Sequence, residues 1–156
     1  MGDVQAVLTH LAAELGPGAV LTDADVLRTF SRDAARFCPA GTAAGLVRAG
    51  STAQVSTVLR LASQHRVPVV PQGARTGLAG GANAVDGCLL LSLERMDRIV
   101  AIDPGEQIAV VQPGVVNSTL SAAVAGQGLY YRRIRRRGRA RRSAATSRPT
   151  RAGCAA

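Results

Sequence analysis

Residues 67–82 read VPVVPQGARTGLAGGA, and the fold turns on them. Val67, Val69 and Val70 form a short β-branched run broken only by Pro68, which reads as a buried strand ending at Pro71. The loop after it, Gln72 to Gly81, carries Gly73, Gly77, Gly80 and Gly81. Glycines let backbone reach positive φ and let a ligand approach without a Cβ in the way. Consecutive bare amides form a nest suited to a pyrophosphate, and Arg75 and the Thr76 hydroxyl are further donors. Two better-known phosphate loops are excluded. A Walker A loop needs Gly-Lys-Ser/Thr, and the chain has no Lys. The dinucleotide fingerprint GxGxxG opens a helix, whereas here the spacing is G-x-x-x-G-x-x-G-G and another strand follows. On the loop alone, a glycine-rich structural turn is as good a reading as a ligand loop.

The flanking sequence supplies the rest of an α+β domain. Val4, Val7, Leu8, Leu11 and Leu15 recur at helical spacing before Gly16-Pro17-Gly18 stops the helix. A second helix fits near residues 23–29, and residues 44–48 read as a short strand. Ser51 and Gln54 predict a capping box, opening a helix whose buried stripe is Val55, Val58, Leu59 and Ala62. Residues 88–93 (CLLLSL) predict a buried strand. Residues 99–102 and 108–112 flank Pro104-Gly105 as a hairpin, and residues 117–125 predict a small-residue helix capped by Asn117 or Ser118. A strand–helix–strand unit followed by antiparallel strands argues for helices packed on sheets. The apolar faces of Leu89, Leu90 and Leu91 and of Val110 and Val111 are expected to stay partly exposed.

The ordered series VPVVPQGARTGLAGGA, buried strand, LERMDRIVAIDP and VVQPGV resembles the N-terminal FAD-binding (PCMH-type) domain of the vanillyl-alcohol oxidase superfamily. Within it, the chain is most similar to the glycolate oxidase subunit and D-lactate dehydrogenase branch of FAD-linked 2-hydroxy-acid oxidoreductases. The match runs from about Val47 to Tyr131. The resemblance implies that Pro71, Gly73, Ala74, Arg75, Thr76, Gly77 and Gly81 contact the FAD pyrophosphate, and that Gly114, in the turn Pro113-Gly114-Val115, lies near the flavin. Some family members attach FAD through a loop His. None is present in residues 73–77, so the resemblance implies non-covalent FAD. The only histidines, His10 and His65, fall in helices without partners and are assigned no catalytic role. In the parent family a 2-hydroxy acid gives a hydride to the flavin while a base takes the hydroxyl proton. The groups that bind and activate substrate lie further along such chains, so this chain is expected to hold no catalytic residue and no metal ligand. Residues 1–43 are then an N-terminal helical extension, 44–131 a partial FAD-binding domain and 132–156 a tail.

The charge distribution isolates that tail. All 19 basic residues are Arg, and the formal net charge is +9 over 156 residues. Residues 1–131 hold nine Arg against ten acids, a net of −1; residues 132–156 hold ten Arg and no acid. An acid-free arginine run is the usual footprint of a nucleic-acid arm, so non-specific nucleic acid is an expected partner. The family pattern also breaks here, where PPDPSS and later IGGNIATNAGG are expected after Tyr131. One cytidine inserted after the Tyr131 codon lets residues 132–137 be rewritten as PPDPSS and residues 142–154 as TIGGNIATNAGGL, with no gap in spacing. An out-of-frame, disordered tail is the expectation, and from it an inactive fragment. Cys38, Cys88 and Cys154 match neither a disulfide framework nor a zinc spacing. With no apolar run of spanning length and no basic leader, a cytoplasmic location is expected.

Overall fold

The computed structural model describes residues 3–35, 37–132 and 150–151. Two units of sheet and helix follow one another along the chain. The first is a four-stranded sheet in the order β1-β2-β4-β3, formed by β1 (Val20–Leu21), β2 (Gly45–Arg48), β3 (Val69–Gln72) and β4 (Leu89–Ser92). β4 pairs in parallel with both β2 and β3, in the registers Leu46↔Leu90 and Val70↔Leu90, while β1 runs antiparallel on the outer edge of β2.

Helices cover both faces of this sheet, and strand alternation decides which residues go where. Leu89, Leu91 and Val47 face α1 (Val4–Leu15) and α3 (Thr52–Gln64), packing with Val7, Leu8, Leu11, Val58, Leu61 and Ala62. Leu46, Leu90 and Val70 face the other way, against Leu27 of α2 (Ala24–Phe30) and against Ala84 and Cys88. Leu89, Leu90 and Leu91 are therefore buried, contrary to the expected exposure, because the N-terminal stretch supplies a covering layer on each side. That stretch, expected as a helical extension, also contributes strand β1, whose two residues are too short for a periodicity to show.

The helix signals hold with local changes. Asp3 and Asp23 cap α1 and α2 through their carboxylates. Ser51 caps α3 by accepting from the Gln54 amide, but the Gln54 side chain reaches one residue further back than a capping box, accepting from the Gly50 amide at 2.7 Å. The buried stripe of α3 is Val58, Leu61 and Ala62. Leu59 is exposed instead, because α1 lies over the Leu61 side of the helix.

The second unit pairs β5 (Ile99–Asp103) with β6 (Ile108–Val111) as the expected antiparallel hairpin, irregular at residues 99–101. α4 (Asn117–Ala125) packs Leu120 and Val124 on one face of it. The N-cap is Val116, with no side-chain cap from Asn117 or Ser118. Val100 and Val110 are exposed, Val110 as expected. The basic tail lies outside the described residues apart from Arg132 and the two-residue strand β7 (Thr150–Arg151), which pairs antiparallel with β6.

Candidate functional site

Parallel neighbours need a crossover, normally a helix. β2 reaches β3 through α3, as usual. β3 reaches its parallel neighbour β4 instead through residues 73–88, which contain no helix or strand. An irregular connection of this length inside a packed domain is commonly a functional loop.

Its backbone is unusual in hydrogen bonding. Among the described residues, no amide of residues 73–82 donates to a protein acceptor. Buried or half-buried donors left without a protein partner are costly unless water or a ligand accepts from them. Of these ten residues, Gly73, Ala74, Arg75, Thr76, Gly80 and Ala82 are half-buried, and Gly77, Leu78, Ala79 and Gly81 are exposed. Arg75 takes φ +50° and Gly80 φ +72°, turning the chain so that the amides do not run into a regular ladder. The loop is held at the other surface by its carbonyls: Gly77 O accepts from the Ala34 amide at 3.1 Å, and Gly80 O from Asn83 at 3.0 Å.

The expected site residues fall into two groups. Gly73, Ala74, Arg75, Thr76, Gly77 and Gly81 lie along this loop, and Pro71 sits exposed on β3 just before it. Gly81 has open space where a Cβ would stand, while a Cβ on Gly80 would lie 2.8 Å from the Cβ of Cys38. Gly114 belongs to the second group. It is buried against the corner between β4 and β5, donating its amide to Met96 O at 2.6 Å. A Cβ on Gly114 would run into the carbonyls of Leu93 and Met96, which by itself requires glycine there. The same corner reaches the loop, since the Leu93 amide donates to Gln72 O at 3.0 Å and Glu94 Oε1 lies 3.9 Å from Arg75 Nη1.

Arg75 does not point freely into solvent. Its guanidinium lies over the Phe30 ring, 3.9 Å from the centroid. Burial lowers its pKa, and the Glu94 carboxylate partly restores it. Three side chains of the site were not legible beforehand. Gln72 is 1% exposed and Asn83 6% exposed, two of the few buried polar residues among the described ones, and they flank the loop. Asp33 lies opposite it, its amide donating to Asn83 Oδ1 at 2.8 Å. The only available signal was a polar residue at an inward position of a strand, Gln72 following Val70 by two. Beside the loop, a cavity of about 340 Å³ is lined by Ala34, Ala35, Phe37, Cys38 and Leu78. Among the described residues no group of three His, Cys, Asp or Glu side chains could hold a metal ion, and no helix is long and apolar enough to cross a membrane.

Comparison with known proteins assigns the loop to a family. Residues 43–134, which contain the whole 73–88 connection and the Gly114 corner, match the FAD binding domain family. The chain belongs to that family. FAD is the cofactor of this domain, and its row of unpaired amides fits a diphosphate. A D-2-hydroxyglutarate dehydrogenase of Stutzerimonas stutzeri is 39% identical over 127 residues, 81% of this chain and 27% of that protein. A D-lactate dehydrogenase of Anaerostipes hadrus is 34% identical, over 76% of this chain and 25% of that protein. The glycolate oxidase subunit of Escherichia coli is 46% identical over 50% of this chain and 16% of its own length. Among solved structures, alkyldihydroxyacetonephosphate synthase superposes with a TM-score of 0.72 at 19% identity, over 81% of this chain and 25% of that one. A p-cresol methylhydroxylase superposes with 0.69 at 24%, over 80% and 25%. These two likenesses show a shared fold. The chain spans about a quarter of the length of the first two curated relatives.

Proposed function

We propose that this chain binds FAD non-covalently through the β3–β4 connection, as the first part of the flavin domain of a 2-hydroxy-acid oxidoreductase. The observation that carries the reading is the run of amides at residues 73–82 without protein acceptors, on a chain whose relatives include dehydrogenases of D-2-hydroxyglutarate and D-lactate. In this reading the amides of Gly73, Ala74, Arg75, Thr76, Gly77 and Gly81 receive the diphosphate oxygens, Pro71 sets the exit of β3, and Gly114 shapes the neighbouring wall. FAD, when bound, supplies the two-electron acceptor for oxidation of the hydroxyl-bearing carbon. What this chain contributes is a preformed set of dipoles needing little rearrangement when the anion arrives.

The same proposal holds that the chain alone turns over no hydroxy acid and retains FAD weakly. The compartment in this reading is the reducing cytoplasm, in keeping with free thiols at Cys38 and Cys88. Titration of the purified chain with FAD, ADP and riboflavin tests the binding. Tighter binding of FAD and ADP than of riboflavin, by about tenfold or more, supports a diphosphate site; equal affinity for all three overturns it. Dye reduction with D-lactate, glycolate or D-2-hydroxyglutarate tests the rest, and robust turnover would overturn the inactive reading.

A second reading concerns residues 132–156, whose ten Arg and no acids favour polyanion binding. We infer that this composition arises from a shifted reading frame. Sequencing the locus decides between them: a frame resuming at IGGN after one added base supports the shift. An intact frame, with tail-dependent RNA binding tighter than that of a scrambled arginine control, supports an evolved arm.

A further inference from the structure

The loop's two ends are each tied to the same N-terminal segment by a buried carboxamide. At the near end, Gln72 Nε2 donates to Phe30 O and to Ala82 O, both at 2.8 Å, so one side chain joins the end of α2 to the far end of the loop. At that far end, Asn83 Oδ1 accepts from the Asp33 amide at 2.8 Å, and Nδ2 donates to Pro39 O at 2.9 Å and Cys38 O at 3.4 Å. Backbone bonds from Ala34 to Gly77 O and from Ala84 to Ser31 O lie between these posts. The segment 30–39 lies before residue 43, where the family match begins.

We propose that Gln72 and Asn83 are positioning residues that make residues 30–34 and 38–39 part of the diphosphate site. The proposal rests on the FAD reading and goes beyond it, by assigning the loop's shape to a segment outside the matched domain. The physical reason is that, among the described residues, none of the ten amides is fixed by a bond of its own. Their directions are set by the bonds to the Gly77 and Gly80 carbonyls, by the Arg75 side chain over Phe30 and by the loop's ends. Both carboxamides are buried in a low-dielectric setting, where their hydrogen bonds are strong and directional. Freeing either end lets the loop's backbone shift, so that amides placed to meet an anion turn away from it. Gln72 Oε1 is buried without a hydrogen-bond partner among the described residues, so this post is held by its two donor bonds alone.

The test compares the full chain with Asn83→Ala and Asn83→Asp. The second variant keeps the acceptor for Asp33 and loses the donor to Pro39. Dissociation constants are measured for FAD, ADP and riboflavin, and amide hydrogen exchange is followed at Ala34 and Ala84. The expected result for Asn83→Ala is a rise of about tenfold or more in both the FAD and ADP constants, by the same factor, with riboflavin unchanged and Ala34 protection reduced. Asn83→Asp is expected between wild type and Asn83→Ala, and it decides the matter if the alanine variant does not fold. Unchanged ADP affinity in a folded variant of a chain that binds ADP overturns the proposal, as does unchanged Ala34 exchange. If the wild-type chain binds neither FAD nor ADP, the FAD reading fails, and exchange at Ala34 still decides whether Asn83 holds the loop.

Discussion

The guanidinium of Arg75 lies 3.9 Å from the centroid of the Phe30 ring, and it does so from a residue at φ +50°. A non-glycine residue in this region carries a backbone penalty of about 1–2 kcal/mol. A half-buried cation over an aromatic face returns about 0.5–2 kcal/mol. The two nearly offset, so arginine is tolerated where glycine is the residue that the turn favours. Replacing Arg75 with alanine keeps the penalty and loses the stacking, and should lower unfolding stability by about 1–2 kcal/mol. Arg75→Gly removes both and should cost less than half as much. Urea unfolding of the two variants checks this; equal losses would show that the backbone angle is not strained.

Gly114 faces a different constraint, the space between two turns. An added Cβ would stand 2.6 Å from Met96 O and also against Leu93 O, both backbone atoms with no freedom to swing aside. Gly114→Ala should destabilise the fold by about 1–3 kcal/mol, read as a lower urea midpoint. Gly81→Ala, with nothing within 4 Å of its Cβ, should leave the midpoint nearly unchanged, and any loss of FAD affinity there reports on the ligand alone.

Leu90 stands at the centre of the sheet, paired with Leu46 and Val70 on either side and fully buried. If the first unit is as well packed as its covering helices make it, Leu90→Ala should cost about 2–5 kcal/mol by lost transfer energy plus a cavity. A loss under 1 kcal/mol in thermal or urea unfolding would mean that this core is loose.

Cys88 offers a pH signature. Burial in the α2-side core raises its thiol pKa, with a smaller raising contribution from Asp86, while backbone hydrogen bonds oppose it. The folded chain therefore keeps the proton when the unfolded chain has released it. The stabilising contribution is complete below the ordinary thiol range of about 8.5 and is lost as pH rises through the higher folded value. Stability should fall from neutral pH to pH 10 more steeply for wild type than for Cys88→Ala, compared by urea midpoints across that range. Parallel curves would exclude the thiol.

Most elements were legible because their signals are local. Asp23 and Ser51 announce helix starts, and the continuous β-branched and leucine runs announce β3 and β4. The two strand residues Val20 and Leu21 carry no such signal and exist as a strand only because Leu46 and Val47 lie beside them. Leu59 and Leu61 compete for the same helical stripe at similar spacing, and the position of α1 chose Leu61. For the site, the glycines and Arg75 could be named from the loop itself. Gln72 and Asn83 could not, since their partners Phe30 and Asp33 stand 42 and 50 residues away.

What the sequence by itself determined is the α+β class, the strand-loop-strand at residues 69–92 and its likeness to a flavin loop, because glycine spacing and short apolar runs are properties of adjacent residues. Only the tertiary structure decided that, among the described residues, the amides of 73–82 find no protein acceptor while the carboxamides of Gln72 and Asn83 tie the loop's ends to Phe30, Asp33, Cys38 and Pro39. The physical reason is that a buried carboxamide side chain must find partners wherever the packed chain brings them, and those of Gln72 and Asn83 are in reach only once α2 and the segment after it lie against the sheet.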